Sequence, residues 1–543
     1  MQITGAEALV RQLALEGVTD VFGVPGLQLD FALDALVQHT PEIRFFGTRH
    51  EQAAAYMADG YARTTGDVGV CMVVPGPGVL NAGAALATAF ACSSRVLCIA
   101  GQIPSWAIGQ DLGLLHEIRD QSHLLQSLTK WSAIATSPEE VPGLIHEAFR
   151  QLRSGRPRPV SVEIPPDVLA ATGDIMLVDP STLTPTPRDS SDQEAIGRIE
   201  SYLSAATAPA IYVGGGAIAA AAERELLELA ERLDAPIILS RGGRGAVSDR
   251  HHLAVSNLAG RRLLEEADVV LVVGSRFITS MGDVVQTKSG AILLGVNAEP
   301  SDLLEPRNYL VSVVGDARET VAAISATVTE GQSRPDWLDS IAAARNWADG
   351  EIAALEPLSS WLDAVRAGIP DDGVLVSELT QVGYLATVGY PVFKAGSYIA
   401  PGYQGTLGYG FPTALGAKVA AGARAVVSIT GDGGFGWGLS ELATAKKYGI
   451  ALVTVVFNDS AFGNVRRIQA ERFEERYIAS TLVNPDFLKL ADAFEIDAVR
   501  VSDPASLTAA IEKALANNAP ALIEVPVGEM PSPWPLVIDG PIK

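Results

Sequence analysis

The chain has 543 residues, of which 48% are hydrophobic and 19% charged. That length is too great for one core and suggests about three or four domains. The net charge of −23 repels phosphate backbones and anionic lipid, which argues against nucleic acid and membrane as partners.

No apolar run approaches transmembrane length. The opening MQITGAEALVRQLALEG lacks a basic region, an apolar core and a cleavage site, so it does not read as a signal peptide. Cys71, Cys92 and Cys98 have small or apolar neighbours and form no CxxC pair, which fits buried free thiols in the cytoplasm. The histidines are scattered, with no HExxH and no zinc spacing.

In chain order, GAEALVRQLALEG reads as a helix and VTDVFGVPG as a strand entering a tight turn. FALDALVQ (helix), IRFFGT (strand), an alanine-rich helix starting near Glu51, and VGVCMVVPGPG (strand, then loop) follow. VLNAGAALATAFACS is a helix and RVLCIAGQ a strand, and the unit closes near VSVEIPPDVL. A polar stretch containing Pro180, Pro185 and Pro187 reads as a linker. The next unit alternates again: APAIYVGGGA, ELLELAERLDAPIILS, ADVVLVVGSRF and GAILLGVNAEP, ending near Ile324. GQSRPDWLDS opens a second, more helical connection. The last unit holds GVLVSELTQ, ARAVVSITGDGG, IALVTVVFNDS and APALIEVPV as strands. The expectation is three doubly wound α/β domains with parallel sheets, over 1–178, 190–328 and 358–543. The first and third are similar in size, which would suit a duplicated fold.

Three places could carry chemistry. RHEQAAAYMADGYARTTG puts Glu51 at the head of an apolar helix, either as a surface charge suited to the helix dipole or as a group held to exchange a proton. Gly214, Gly215 and Gly216 follow a strand, but without GxGxxG spacing or a placed acidic partner they read mainly as a packing turn. SITGDGGF ends a strand at Asp432, and one helix and one strand later comes Asp459 in NDSAFG. Neighbouring parallel strands would bring both carboxylates to one sheet edge, where ligands bind. Two hard oxygens, a backbone carbonyl and phosphate oxygens would satisfy magnesium.

GDGG–helix–strand–ND resembles the thiamine-diphosphate motif, and RHEQAAAYMADGYARTTG resembles the glutamate helix of the same superfamily. VFGVPG, VVPGPGVLNA and GTLGYGFPTALGA look like its pyrimidine-pocket and cofactor-hinge motifs. Nearly the full length resembles the acetolactate synthase, pyruvate oxidase and benzoylformate decarboxylase group, with acetolactate synthase large subunits looking most similar. The resemblance implies that Glu51 meets the far pyrimidine nitrogen, and that Pro25, Gly26, Pro77 and Asn81 border that ring. It gives Leu407 the place under the bent cofactor and Gly405 a carbonyl for the pyrimidine amino group. Gly433, Gly434, Phe462, Gly463, Thr380 and Gln381 would hold the diphosphate, and Asp432, Asp459 and the Ala461 carbonyl would ligate Mg²⁺. Each site would be shared between subunits of a homodimer or homotetramer.

On the substrate side, Leu27 and Gln28 follow VPG. His116 and Glu117, counted back from Thr129-Lys130, take the Phe-Gln places of the synthase segment. FAD is disfavoured, because GSRFITSMGD and NAEP depart from the family's flavin motifs GxRFDDRxTG and DIDP. The leading expectation is decarboxylation and carboligation of a 2-oxo acid. The alternatives are a decarboxylase or C–C lyase on a larger 2-oxo or 2-hydroxy compound, and a non-catalytic protein that keeps the cofactor fold.

Overall fold

The structure, a computed structural model, describes residues 1–39, 41–182, 192–328 and 334–538. Pro185 and Pro187 of the expected linker, and the start of GQSRPDWLDS, lie outside these residues. Within them the chain forms three domains, each built on a six-stranded parallel sheet.

The first sheet runs Arg44–Gly47, Asp20–Gly23, Gly69–Val73, Val96–Gly101, Val160–Ile164, Trp131–Ile134 across its width. The third runs Tyr398–Ile399, Val374–Ser377, Val426–Gly431, Val453–Asn458, Ala521–Pro526, Asp497–Arg500. Counted by chain order within each domain, both sheets have the order 2-1-3-4-6-5. The duplication anticipated from size is therefore a duplication of topology. The central sheet differs. Its order is 3-2-1-4-5-6, the arrangement of dinucleotide-binding folds, with Pro209–Val213 and Val269–Val273 at its centre. The inner strands are apolar along their whole length because helices cover both faces; Val96–Gly101 is buried at every residue.

The first and third domains pack on each other through the helices Glu51–Thr65 and Gly410–Ala421. A Cβ at Gly60 would collide with the Thr413 carbonyl, and one at Gly416 with the Met57 carbonyl, so the backbones cross in direct contact. Glycine is required there for approach rather than for conformation. Tyr56 and Tyr409 meet edge to face at 5.4 Å and share one core with Met57 and Phe411. The crossing also buries an ion pair: Arg63 lies 3.9 Å from Asp59 and donates to the Tyr409 hydroxyl at 2.6 Å. Burial pushes the Asp59 carboxyl up, and Arg63 opposes the shift. The helix Pro335–Ala353 ties the third domain's approach to the central one, with Trp337 Nε1 donating to the Pro209 carbonyl at 3.0 Å.

Candidate active site

In each outer domain the chain order reverses between the first and third strands, and a crevice opens at their carboxyl ends. In the first domain these ends are Gly23 and Val73. Glu51 is the first residue of its helix. His50 caps that helix, its Nδ1 accepting the Gln52 N–H at 3.1 Å. The Glu51 carboxylate accepts from Asn81 Nδ2 at 2.9 Å. Asn81 rides on the helix Pro77–Cys92, which Pro77 opens at the position where proline costs no hydrogen bond.

Gly76 caps the same helix with φ 57° and ψ −107°, a backbone open to glycine alone, and a Cβ there would strike the His116 carbonyl. His116 itself has φ 66°. Its Nδ1 lies 3.0 Å from Gln28 Oε1, and Gln28 Nε2 donates to the Leu115 carbonyl at 3.2 Å. Gly26 lies against Val74, where a Cβ would overlap that side chain. Pro25 borders a cavity with Thr48, Arg49 and Tyr448. Gly26, Gln28, Glu51, Pro77, Asn81 and His116 thus gather around the turn from Val74 to Gly78, whereas Pro25 faces the cavity beside Tyr448. Glu117 is spent on its own loop: its carboxylate accepts from the Leu114 N–H at 2.8 Å and the Leu112 N–H at 3.3 Å.

The third domain assembles a second group in the equivalent crevice. Asp432 begins the helix Asp432–Gly438 at the end of one strand and is almost fully buried. Asp459 follows the adjacent strand, and its Oδ1 accepts from the Ala461 N–H at 3.1 Å. Desolvation and the nearby Asp432 push the Asp459 carboxyl up to about 6. A divalent cation would relieve that repulsion. Among the described residues no three His, Cys, Asp or Glu side chains converge on a metal site, and the expected set has only two carboxylates plus a carbonyl. Gly463 faces Asp459 and Gly433 faces the Phe462 ring, both too close for a larger residue without adjustment, while Gly431 faces Thr380 at ordinary contact distance. Thr380 caps the helix Gln381–Gly389. The buried Gln381 Oε1 has no protein hydrogen-bond partner.

The hinge loop carries Gly405 at φ 58°, the half-buried Leu407, and Gly408 at φ 77°. The Thr406 hydroxyl meets Thr88 of the first domain at 2.7 Å. Among the described residues no hydrogen bond or ion pair joins the Glu51–Asn81–His116 group to the Asp432–Asp459–Gly463 group of the same chain.

Family models of the thiamine pyrophosphate enzymes match all three domains. The N-terminal cofactor-binding model covers residues 3–124, the central model 196–324 and the C-terminal cofactor-binding model 380–525. An acetolactate synthase of Arthrospira platensis is 32% identical over 99% of this chain and 96% of its own. The chain belongs to the thiamine pyrophosphate enzyme family. Acetolactate synthase isozyme 3 large subunit of Escherichia coli K12 is 31% identical over 99% of this chain and 97% of its own. A probable 2-ketoarginine decarboxylase of Pseudomonas aeruginosa is 36% identical over 91% and 88%. This thiamine pyrophosphate enzyme is therefore of the acetolactate synthase-like type that carries out carboligation and decarboxylation.

The cofactor fits the residues present. The unpartnered Gln381 oxygen, the close glycines at 433 and 463, and the crowded aspartates are features a diphosphate with its cation would complete.

Two residues of the enzyme escaped the motif reading. Glu378 is 2% exposed and accepts from the N–H groups of Gly408 at 2.7 Å and Tyr409 at 3.1 Å, and from the Thr430 hydroxyl. It therefore ties the hinge loop to the Asp432 strand. Its place in SELTQ beside Thr380 was the available signal. Asn484 donates to Asp432 Oδ2 at 2.6 Å and to Asn458 Oδ1 at 3.1 Å; nothing near it in sequence marks it.

A separate cavity of about 390 Å³ opens at the switch point of the central sheet, lined by Gly214, Gly215, Gly274, Arg276 and Asn297 among others. The glycine run packs tightly here: Cβ atoms at Gly214 and Gly216 would collide with residues 274–275. No helix among the described residues is long and apolar enough to cross a membrane.

Proposed function

We propose that this enzyme, with Mg²⁺ and thiamine diphosphate, decarboxylates a 2-oxo acid and joins the acyl carbon to a second carbonyl, as in acetolactate synthesis. When bound, the cofactor supplies the nucleophilic carbon that adds to the substrate carbonyl and carries the fragment left after CO₂ departs. Glu51 holds and moves a proton at the pyrimidine nitrogen, with Asn81 fixing its carboxylate. Leu407 would support the bridge between the cofactor's rings, and the Gly405 carbonyl would be the acceptor for the pyrimidine amino group. Pro25, Gly26 and Pro77 border that ring. Asp432, Asp459 and the Ala461 carbonyl hold the metal. Gly433, Gly434, Phe462, Gly463, Thr380 and Gln381 hold the diphosphate.

The active site would be shared by two subunits of a homodimer or homotetramer. The observation that supports this is the apolar surface left exposed beside each residue group. Leu27 and Leu80 are 65% and 54% exposed beside the Glu51 crevice, and Trp437 is 62% exposed beside Asp432. Covering them would exclude water from the reacting carbon. The cytoplasm suits the free thiols. Flavin is not part of this reading, because Ile278, Thr279 and Ala298 stand in its expected motifs.

A second reading is a decarboxylase of a larger 2-oxo acid. The Gln28–His116 pair favours it, because it sets two hydrogen-bonded polar side chains next to Leu27 in the chain. The test is incubation of the protein with Mg²⁺, thiamine diphosphate and pyruvate, with products read by NMR. Acetolactate supports the first reading. No pyruvate consumption by the cofactor-loaded protein would refute it, and bulkier 2-oxo acids then test the second.

A further inference from the structure

Glu441 is completely buried, where glutamate is stable only with strong partners. It ends the short turn Leu439–Glu441, between the helix that starts at Asp432 and the helix Leu442–Tyr448. Its carboxylate reaches across to the first domain. It accepts the Arg49 N–H at 3.0 and 3.1 Å and the His50 N–H at 3.1 Å, and the Thr444 hydroxyl anchors it from behind. Arg49 and His50 are the two residues immediately before Glu51. The same helix holds the start of this turn, the Tyr448 hydroxyl accepting the Gly47 N–H at 2.7 Å. Burial pushes the Glu441 carboxyl up, while Thr444 and the two amides oppose that shift by bonding its charged form. A charged acceptor on two consecutive backbone amides fixes the direction in which the chain enters the Glu51 helix.

We propose that Glu441 is a positioning residue for Glu51: through the Arg49 and His50 amides it sets where the Glu51 carboxylate stands. The inference rests on the role given to Glu51 above. It makes the third domain of each chain a determinant of the proton-transfer group carried by the first.

The test compares wild type with Glu441→Gln, Thr444→Val and Glu51→Gln, each with Mg²⁺ and thiamine diphosphate. Three quantities are read: cofactor dissociation constant, melting temperature, and hydrogen–deuterium exchange at the reactive thiazolium carbon, followed by quenching and NMR. Exchange in Glu441→Gln should slow by roughly tenfold to a hundredfold, the cost of a displacement of about 1 Å. Cofactor affinity should stay at the wild-type value, since Glu441 touches no cofactor-holding group. Thr444→Val should slow exchange in the same direction and by less. Wild-type exchange in a folded, loaded Glu441→Gln, beside slow exchange in Glu51→Gln, would overturn this inference alone. If Glu441→Gln does not fold, wild-type exchange in Thr444→Val overturns it. Wild-type exchange in Glu51→Gln would remove the role of Glu51 and this inference with it.

Discussion

Gly463→Ala tests the metal assignment, because it should weaken Mg²⁺-dependent cofactor retention more than it alters fold stability. A Cβ at 463 would lie under 3.0 Å from Asp459 Oδ2, and that oxygen must retreat by about 1 Å to reach ordinary contact at 3.4 Å. The retreat pulls the carboxylate off the Ala461 N–H that it now accepts at 3.1 Å, and off its position beside Asp432. Losing a hydrogen bond to a charged group costs roughly 1.5–3 kcal/mol. That corresponds to about 10- to 150-fold in affinity. The same hydrogen bond is lost from the ligand-free fold, and relief of the Asp432–Asp459 repulsion together with alanine's helix preference offsets part of that cost. The helix Gly463–Phe473 has no buried side chains, and residue 463 is outside the left-handed region. Alanine is preferred over glycine in a helix by up to about 1 kcal/mol. The assay is equilibrium dialysis of thiamine diphosphate across a Mg²⁺ titration, paired with thermal unfolding of the ligand-free protein. The expected result is weakened Mg²⁺-dependent retention while the ligand-free protein still unfolds cooperatively, its melting temperature lowered by no more than the lost hydrogen bond accounts for. Undiminished retention would refute the reasoning.

Asp432→Ala should abolish Mg²⁺-dependent cofactor retention in the same dialysis, with little loss of secondary structure by circular dichroism. Leu407→Ala should keep the cofactor bound but lower turnover by roughly 100-fold, since loss of ring alignment acts on geometry rather than on retention; product formation under saturating cofactor checks it. Gly416→Ala forces a methyl against the Met57 carbonyl at the helix crossing and should destabilise the fold by about 1–3 kcal/mol, read from the midpoint of urea unfolding.

The residues that were legible in the sequence are those whose role is written in local pattern. Inner strands such as Val453–Asn458 are apolar runs bounded by glycine and Asn-Asp, and GDGG and NDSAFG sit at their carboxyl ends as the parallel-sheet rule requires. Two edge strands were not legible, although a third, Arg44–Gly47, was read from IRFFGT. Trp131–Ile134 is only half-buried along its length and Asp497–Arg500 is largely exposed, so neither has an apolar signature. The helix Gly463–Phe473 is charged on every face and lacks the stripe that announces a packed helix.

Glu117, which the resemblance puts on the substrate side beside His116, also accepts two N–H groups of its own loop. Backbone acceptance is invisible to side-chain pattern. The same holds for Glu378 and Glu441, which no motif singles out and on which backbone amides from distant segments converge. The shared order of the outer sheets also escapes a sequence reading, since topology repeats where side chains do not.

The central claim is that Glu51 of one chain and Asp432 of another form one site around thiamine diphosphate. Co-expression of Glu51→Gln and Asp432→Ala chains, each carrying its own affinity tag, isolates the mixed assembly. Exchange at the cofactor's thiazolium carbon is then measured for it and for each variant alone. If the site is shared, each mixed dimer contains one site with both defects and one with neither, so exchange returns although both parents are inert. If each chain builds its own site, the mixed assembly is as inert as its parents, and the account is contradicted.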